Sequence, residues 1–419
     1  MCLFVFSGIL NYICEMKNIV RKRYLEKLSA LKDQHLIKVI TGVRRAGKST
    51  LLLQYQELLK TTDPTVAIVS VNLDNPAMRG IVEMGWKALY DFILPQTKGN
   101  ERTYVFLDEI QNVPDFERLL EGLFIIPNID LYVTGSNAYL LSSELATLLT
   151  GRAFEINLLP FSFAEYIEFG DDKTNVGQQF GRYLQQGGFP EATNLATVNE
   201  IYSMQYLQQV YRSVFENDIS KRHKIYSEES YQNVVHFLAD SVGSCVSANN
   251  IANSLSSAGK KIDSKSVSRY ISTLVESYLF YEAKRYDIKG KAVLQTQEKY
   301  YLVDTGLRNA LLGRELAGDA GHLLENVVYL ELLRRDYSVW IGKVDNKEVD
   351  FVVRGSDGYT KYIQVAQTVM NPETLTRELA PFDKVGDHNE KILLTMDWEN
   401  GSRNGVKQKN VIEWLLEIQ

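Results

Sequence analysis

Eight consecutive residues, Gly42-Val43-Arg44-Arg45-Ala46-Gly47-Lys48-Ser49, fit the pattern GxxxxGK[ST], and Thr50 follows them. The chemistry such a run serves is phosphate binding. Glycines reach the φ values that aim successive N–H groups at one anion, and a helix N-terminus behind the loop adds partial positive charge. Residues Gly42 to Thr50 would then cradle a nucleoside triphosphate, with Lys48 on its β- and γ-phosphates and the Ser49 hydroxyl on Mg²⁺. A second run, Tyr104-Val105-Phe106-Leu107-Asp108-Glu109, is apolar and ends in two carboxylates. Asp108 is the candidate to hold Mg²⁺ through water, and Glu109 the candidate to polarise the attacking water. A third, Leu131-Tyr132-Val133-Thr134-Gly135-Ser136-Asn137, runs into a small polar turn where Ser136 and Asn137 are candidate γ-phosphate sensors. Arg152 follows Ala146-Thr147-Leu148-Leu149-Thr150-Gly151. An arginine there serves either to neutralise transition-state charge, in its own site or across a subunit boundary, or to form a surface ion pair. Arg44 and Arg45 are ambiguous in the same way. No Asn-Lys-x-Asp follows the sensor run, so ATP is expected rather than GTP.

These residues need elements to hold them. Short apolar runs at Ile37–Thr41, Val66–Leu73, Tyr104–Leu107, Leu131–Thr134 and Phe154–Leu158 alternate with helical patterns. That alternation predicts an α/β fold, a P-loop NTPase with a parallel sheet covered on both faces. Pro160 closes the unit, and residues 161–226 read as helical. From Val234 come three helices, the third opening at Ser264, then β-type runs at Phe280–Arg285 and Lys299–Val303 around the loop Tyr286–Gly290. This order predicts a winged helix-turn-helix. A long helix from Leu323 to Arg335 and strands at Val339–Ile341, Val349–Val353, Tyr362–Ala366 and Lys391–Thr395 complete the chain. The expected divisions are an N-terminal segment 1–23, the ATPase 24–160, a helical lid or connector 161–230, the winged helix 231–312 and an α/β domain 313–419.

The chain resembles prokaryotic AAA-type ATPases of the extended class, joined to a C-terminal domain of unknown function. The resemblance rests on Thr41–Thr50, on Phe106-Leu107-Asp108-Glu109-Ile110-Gln111-Asn112-Val113, on Thr134–Asn137, and on Gly151-Arg152 leading to Leu159-Pro160-Phe161-Ser162-Phe163-Ala164-Glu165-Tyr166. It extends over nearly all of the chain after Met16.

In the last domain, Glu325, Asp350 and Gln364-Val365-Ala366 follow the spacing of the PD-(D/E)xK nuclease fold. An active site of that kind needs a carboxylate where Gln364 stands and a lysine where Ala366 stands, to bind the metal and activate water. The reading is therefore a nuclease-like scaffold without nuclease activity, with an active DNA-processing nuclease as the alternative. DNA is a candidate partner of the winged helix through Lys265, Ser268 and Arg269 on its third helix, Lys260 and Lys261 just before it, and Lys284, Arg285, Lys289 and Lys291 on its wing. A protein partner or a second copy of the chain is the other expectation.

A formal net charge of −6 from 46 basic and 52 acidic residues excludes a surface that is basic throughout, although not one basic face. Cys2, Cys14 and Cys245 cannot build a disulfide framework, which points to a reducing, cytoplasmic setting. The apolar stretch Met1–Cys14 is shorter than the roughly 20 residues a membrane span requires and lacks the basic start of a signal peptide. Two readings of it stand: a short helix packed on the body, or an upstream mis-start, with the chain beginning at Met16.

Overall fold

The five apolar runs of the first 160 residues differ in one respect that decides their places in the sheet. Ile37–Thr41, Thr103–Asp108 and Ile129–Thr134 are buried at every position, whereas Ala67–Asn72 and Ala153–Asn157 have exposed positions. In the computed structural model these are strands β1 (Ile37–Thr41), β2 (Ala67–Asn72), β3 (Thr103–Asp108), β4 (Ile129–Thr134) and β5 (Ala153–Asn157), all parallel, in the order β2-β3-β4-β1-β5. The fully buried strands are the inner three. β4 stands between β1 and β3. The structure describes residues 19–97, 99, 101–138, 151–170, 174–294, 297–313 and 320–417. The stretch 1–15, its alternative start Met16, and the segment Ala146–Thr150 lie outside the described residues.

Two compact units divide the chain, one running to Leu158 and the other beginning at Leu159. In the first, alternate residues of each strand enter opposite cores. Val39, Val105, Leu107, Leu131 and Val133 meet Leu89 and Ile93 of one helix and Leu119, Leu120 and Leu123 of another. Ile40, Phe106 and Tyr132 meet Leu51, Leu52, Tyr55 and Leu59 of α2 (Lys48–Thr62) and Leu25 and Leu28 of α1 (Lys22–Ala30). Each large apolar side chain so buried contributes about 1.5–3 kcal/mol. The sheet is thereby fixed on both faces, and the C-terminal ends of β1, β3 and β4 share one edge.

In the second unit the Pro160-Phe161-Ser162-Phe163 run turns out to start a helix. Ser162 caps Phe163–Phe169 with a reciprocal Glu165 bond, the arrangement that satisfies two otherwise orphaned N–H groups. Further helices fill the segment to Val214. Then α3 (Glu228–Asp240), β6 (Cys245–Val246), α4 (Ala248–Ser257), α5 (Ser264–Glu276), β7 (Phe280–Ala283) and β10 (Glu298–Leu302) follow, with β6, β10 and β7 forming an antiparallel sheet. One expectation is overturned here. Tyr286–Gly290 is not a free loop: β8 (Arg285–Asp287) and β9 (Ala292–Val293) make a hairpin that joins a different sheet, β8 running parallel to β11 (Ser338–Val344). The cause is Ile288, which is buried in that sheet's core.

The larger sheet has the order β15-β16-β14-β13-β12-β11-β8-β9. It contains β12 (Lys347–Arg354), β13 (Thr360–Ala366), β14 (Glu390–Thr395), β15 (Gly401–Arg403) and β16 (Val406–Asn410), and α6 (Ala320–Arg334) precedes β11. β11, β12 and β13 form an antiparallel meander and β13 pairs with β14 in parallel. Among the described residues no helix is long and apolar enough to cross a membrane.

Candidate functional site

The loop between β1 and α2 has the backbone its sequence calls for. Gly42 has φ 134°, and a Cβ there would lie 2.2 Å from the Leu158 carbonyl oxygen, so no side chain fits. Gly47, φ 102°, precedes α2 in a left-handed conformation and supplies no side-chain cap. The N–H groups of the first helical turn are therefore left for an anion. Val43 and Ala46 are buried and anchor the loop, while Arg45, φ 71°, is exposed.

Lys48 is buried and folds back over the loop, its ammonium donating to the carbonyls of Gly42 at 2.9 Å and Val43 at 3.1 Å. It lies 4.0 Å from the Glu109 carboxylate. Beside it Asp108, last residue of β3, is buried and hydrogen-bonded on both oxygens. Its Oδ1 accepts from the Thr134 hydroxyl at 2.6 Å, and its Oδ2 from the Asn72 amide at 3.1 Å. The Ser49 hydroxyl also bonds to this carboxylate. Burial pushes the Asp108 pKa above the ordinary carboxylate value, against the pull of Thr134 and Ser49.

Glu109 departs from the strand with φ 57°, its N–H held by Thr134 Oγ1 at 2.9 Å. Its carboxylate accepts from Gln111 and from Ser136 Oγ, the latter at 3.3 Å. Burial alone would raise its pKa. Lys48, Gln111, Arg44 and Ser136 together outweigh that and hold Glu109 below the ordinary value, hence ionised. Of the two loop arginines, Arg44 is thus the one that acts on the acidic pair.

The structure brings Lys48, Ser49, Asp108, Glu109 and Ser136 into one cluster at the C-terminal edge of the sheet, and buries Asn137 next to Ser136. The residues suit Mg²⁺: Asp108 is a buried carboxylate short of positive charge and Ser49 is an oxygen donor in contact with it. Sequence reasoning missed three participants. Thr134 ties both acids to β4, Asn72 lies opposite Asp108 in the β2–β3 register, and Gln111 joins Glu109 to Ser136. Each ends or follows a strand already assigned to the site edge, which is the signal that could have found them. Arg21, just before α1, is also buried and donates to the Ala46 carbonyl at 3.4 Å.

Arg152 is not in the cluster. Its carbonyl accepts from Ile37 N at 2.7 Å, which places it where β1 and β5 begin. At about 3.3 Å per residue, the five residues of β1 separate it from its own loop by roughly 17 Å. Arg152 and the loop thus lie at opposite ends of β1. Its guanidinium lies 5.8 Å from the Phe124 ring centre, on an open groove also lined by Trp86, Tyr90, Arg118 and Ile125.

The second unit brings Glu325 and Asp350 together but puts Gln364 to another use. The Gln364 amide donates to Glu378 at 2.9 Å, and its carbonyl accepts from Asp350 N at 3.3 Å. Among the described residues no group of three or more His, Cys, Asp or Glu side chains is placed to hold a metal ion. On α5, Lys265, Ser268 and Arg269 are exposed, and Arg269 and Lys224 both lie about 5 Å from the Tyr226 ring. Three of the four wing cations are engaged: Lys289 with Asp345 at 2.7 Å, Arg285 with Gln297 at 2.8 Å and Lys284 with Glu282 at 3.8 Å.

Comparison with known proteins agrees with the first unit's architecture. Residues 34–167 match the family model of an AAA domain, and residues 177–317 match that of a domain of unknown function (DUF8612). An uncharacterized protein of Haemophilus influenzae is 37% identical over 405 residues, covering 95% of this chain and 99% of the relative. One from Methanocaldococcus jannaschii is 27% identical, covering 83% of this chain and 78% of its own. Among solved structures, the Walker-type ATPase of Pyrococcus abyssi superposes with a TM-score of 0.49 at 17% identity, over 70% of this chain and 96% of its own.

Proposed function

The chain belongs to the family of the Haemophilus influenzae protein, and with an AAA-type P-loop domain as its first unit we propose that it hydrolyses ATP with Mg²⁺ and uses nucleotide state as a switch. One observation carries the reading: a phosphate loop with an uncapped helix behind it faces two carboxylates of opposite character, Asp108 raised and Glu109 lowered in pKa. The loop N–H groups and Lys48 bind the β- and γ-phosphates. Ser49 and Asp108 would hold Mg²⁺, which when bound would supply positive charge to the same oxygens. Glu109 accepts a proton from a water whose oxygen bonds to the γ-phosphorus while the bridging P–O bond breaks and ADP departs. Ser136 and Asn137 orient that water, with Gln111 holding Ser136 in place.

The cis distance favours action of Arg152 on a neighbouring copy, where it would neutralise charge in a second molecule's site. Residues 228–302 read as a winged helix from the order of their helices and their three-stranded antiparallel sheet. The exposed side of α5, with no acidic residue from Ser264 to Val275, supports DNA as its partner through Lys265, Ser268 and Arg269. The helix–meander–crossover order of the last domain supports a nuclease-like scaffold. The use of Gln364 as a clamp to Glu378 favours recognition over cleavage. The test is Lys48→Ala: its loss should remove ATP-induced thermal stabilisation and ATP hydrolysis together, and an unaffected variant would refute the assignment.

A further inference from the structure

Lys299, on β10, is a buried lysine with two carboxylates at hydrogen-bonding distance. Its ammonium donates to Glu325 Oε1 of α6 at 3.0 Å and pairs with Glu348 Oε1 of β12 at 2.7 Å. Asp350, two residues further along β12, also acts on it electrostatically. Around this centre the Tyr301 hydroxyl donates to Glu325 at 2.6 Å, and the Cys245 thiol of β6 to Glu348 at 3.4 Å. His322 of α6 and Glu325 both flank Gly243. Glu325 and Asp350 belong to the nuclease-like pattern, and the ammonium stands among them where such a pattern would use a metal ion.

We propose that Lys299 is the resident cation of this carboxylate cluster, and that the cluster clasps the β6–β10–β7 sheet to α6 and β12 instead of holding a divalent metal. The proposal is independent of the ATPase reading, since no residue before Leu159 takes part. Burial alone would lower the Lys299 pKa, and Glu325, Asp350 and Glu348 reverse that, so the lysine stays charged inside the protein. A buried cation so placed binds its partners, and removing it leaves buried carboxylates facing one another. The wing hairpin adds a second attachment across the same boundary, β8 pairing with β11. Both attachments join the winged-helix segment to the nuclease-like sheet as one body.

The test compares Lys299→Met and Lys299→Arg in the full chain without nucleotide, by thermal melting from pH 5 to pH 8 and by hydrogen exchange. At pH 8 Lys299→Met should melt roughly 5–10 °C below the wild type, with faster exchange in β6 and β10. With the ammonium gone, the buried carboxylates face one another uncompensated, and the Asp350 pKa, already raised by burial and by Glu325, rises further. Their penalty is absent below the unfolded values and grows as pH rises, so the deficit should shrink at pH 5. Tyr301, Cys245 and His322 are the other titratable groups facing the cluster. Lys299→Arg should stay near the wild type. A Lys299→Met protein as stable as the wild type at pH 8, or one with the same deficit at both pH values, overturns the proposal. Should the single variant not fold, Lys299→Met with Asp350→Asn is expected to recover folding, and a double variant equally unfolded is the refuting result.

Discussion

Thr134→Val is the sharpest probe of the acidic edge, because it removes one oxygen and little volume. That oxygen donates to Asp108 Oδ1 at 2.6 Å and accepts the Glu109 N–H at 2.9 Å, and Thr134 is fully buried. A hydrogen bond to a charged group contributes about 1.5–3 kcal/mol, and a buried N–H left without an acceptor costs about 1–3 kcal/mol. Asp108 keeps Asn72 and Ser49, so a total of about 2–4 kcal/mol is expected, or roughly 5–15 °C in the melting of the first unit. Two further effects follow on activity. The carboxylates lose their common anchor, and displacement on the scale of 1 Å lowers turnover on the order of 10²-fold. The Thr134 bond also opposes the burial that raises the Asp108 pKa, so its loss raises that pKa further and moves the acid limb of the pH–rate profile to higher pH. Thr134→Ser keeps the oxygen and should remain close to the wild type in both respects. Steady-state ATP hydrolysis from pH 5 to 9, with melting curves, reads all of this. Equal rates and superimposable pH profiles for the valine and serine variants would show that the hydroxyl does not organise the site.

Arg152→Ala should lower ATP hydrolysis on the order of 10³-fold, and mixing it with Lys48→Ala should restore activity, since each lacks what the other supplies; no recovery on mixing refutes action across a boundary. Asp304, buried between Gly188 N at 2.6 Å and Leu307 N at 2.8 Å, has its pKa pushed by burial up to about 6. Because the folded value exceeds the unfolded one, its stabilising effect is complete below pH 4 and is lost as pH rises through 6, a change of up to about 3 kcal/mol. Asp304→Asn should flatten that part of the melting temperature's pH dependence, and an unchanged slope in the variant counts against the buried charge as its source.

The five strands of the first unit were legible because each is a short run rich in apolar residues between helical patterns, and the phosphate loop because its glycines sit at fixed spacing. Chemistry at their ends was legible only in part. Asp108 and Glu109 announce themselves as a charged pair after Leu107, whereas Asn72 and Thr134 are ordinary strand-end residues until the register places them against Asp108. In the second unit β16, Val406-Lys407-Gln408-Lys409-Asn410, is polar at most positions yet half-buried, which no apolar period reveals. The wing was misread for a related reason. Its Lys and Arg residues suggest solvent, while Ile288 and Tyr286 pack the hairpin onto the core of the larger sheet. Arg152 shows the limit of motif resemblance, since its place just before β5 of a parallel sheet already puts it at the end opposite the phosphate loop.

The rerouted wing also has a consequence for how the protein behaves in solution. Without the hairpin, a seven-residue β11 at the margin of a six-stranded sheet would offer a long row of unpaired backbone groups to any passing strand. β8 covers that row and β9 caps it with only two residues, Ala292 and Val293, after the exposed Lys291; the opposite margin is the three-residue β15, ending at Arg403. Both margins are thus short and flanked by charge, so the segment that gave up its freedom as a wing guards the sheet against edge-to-edge aggregation.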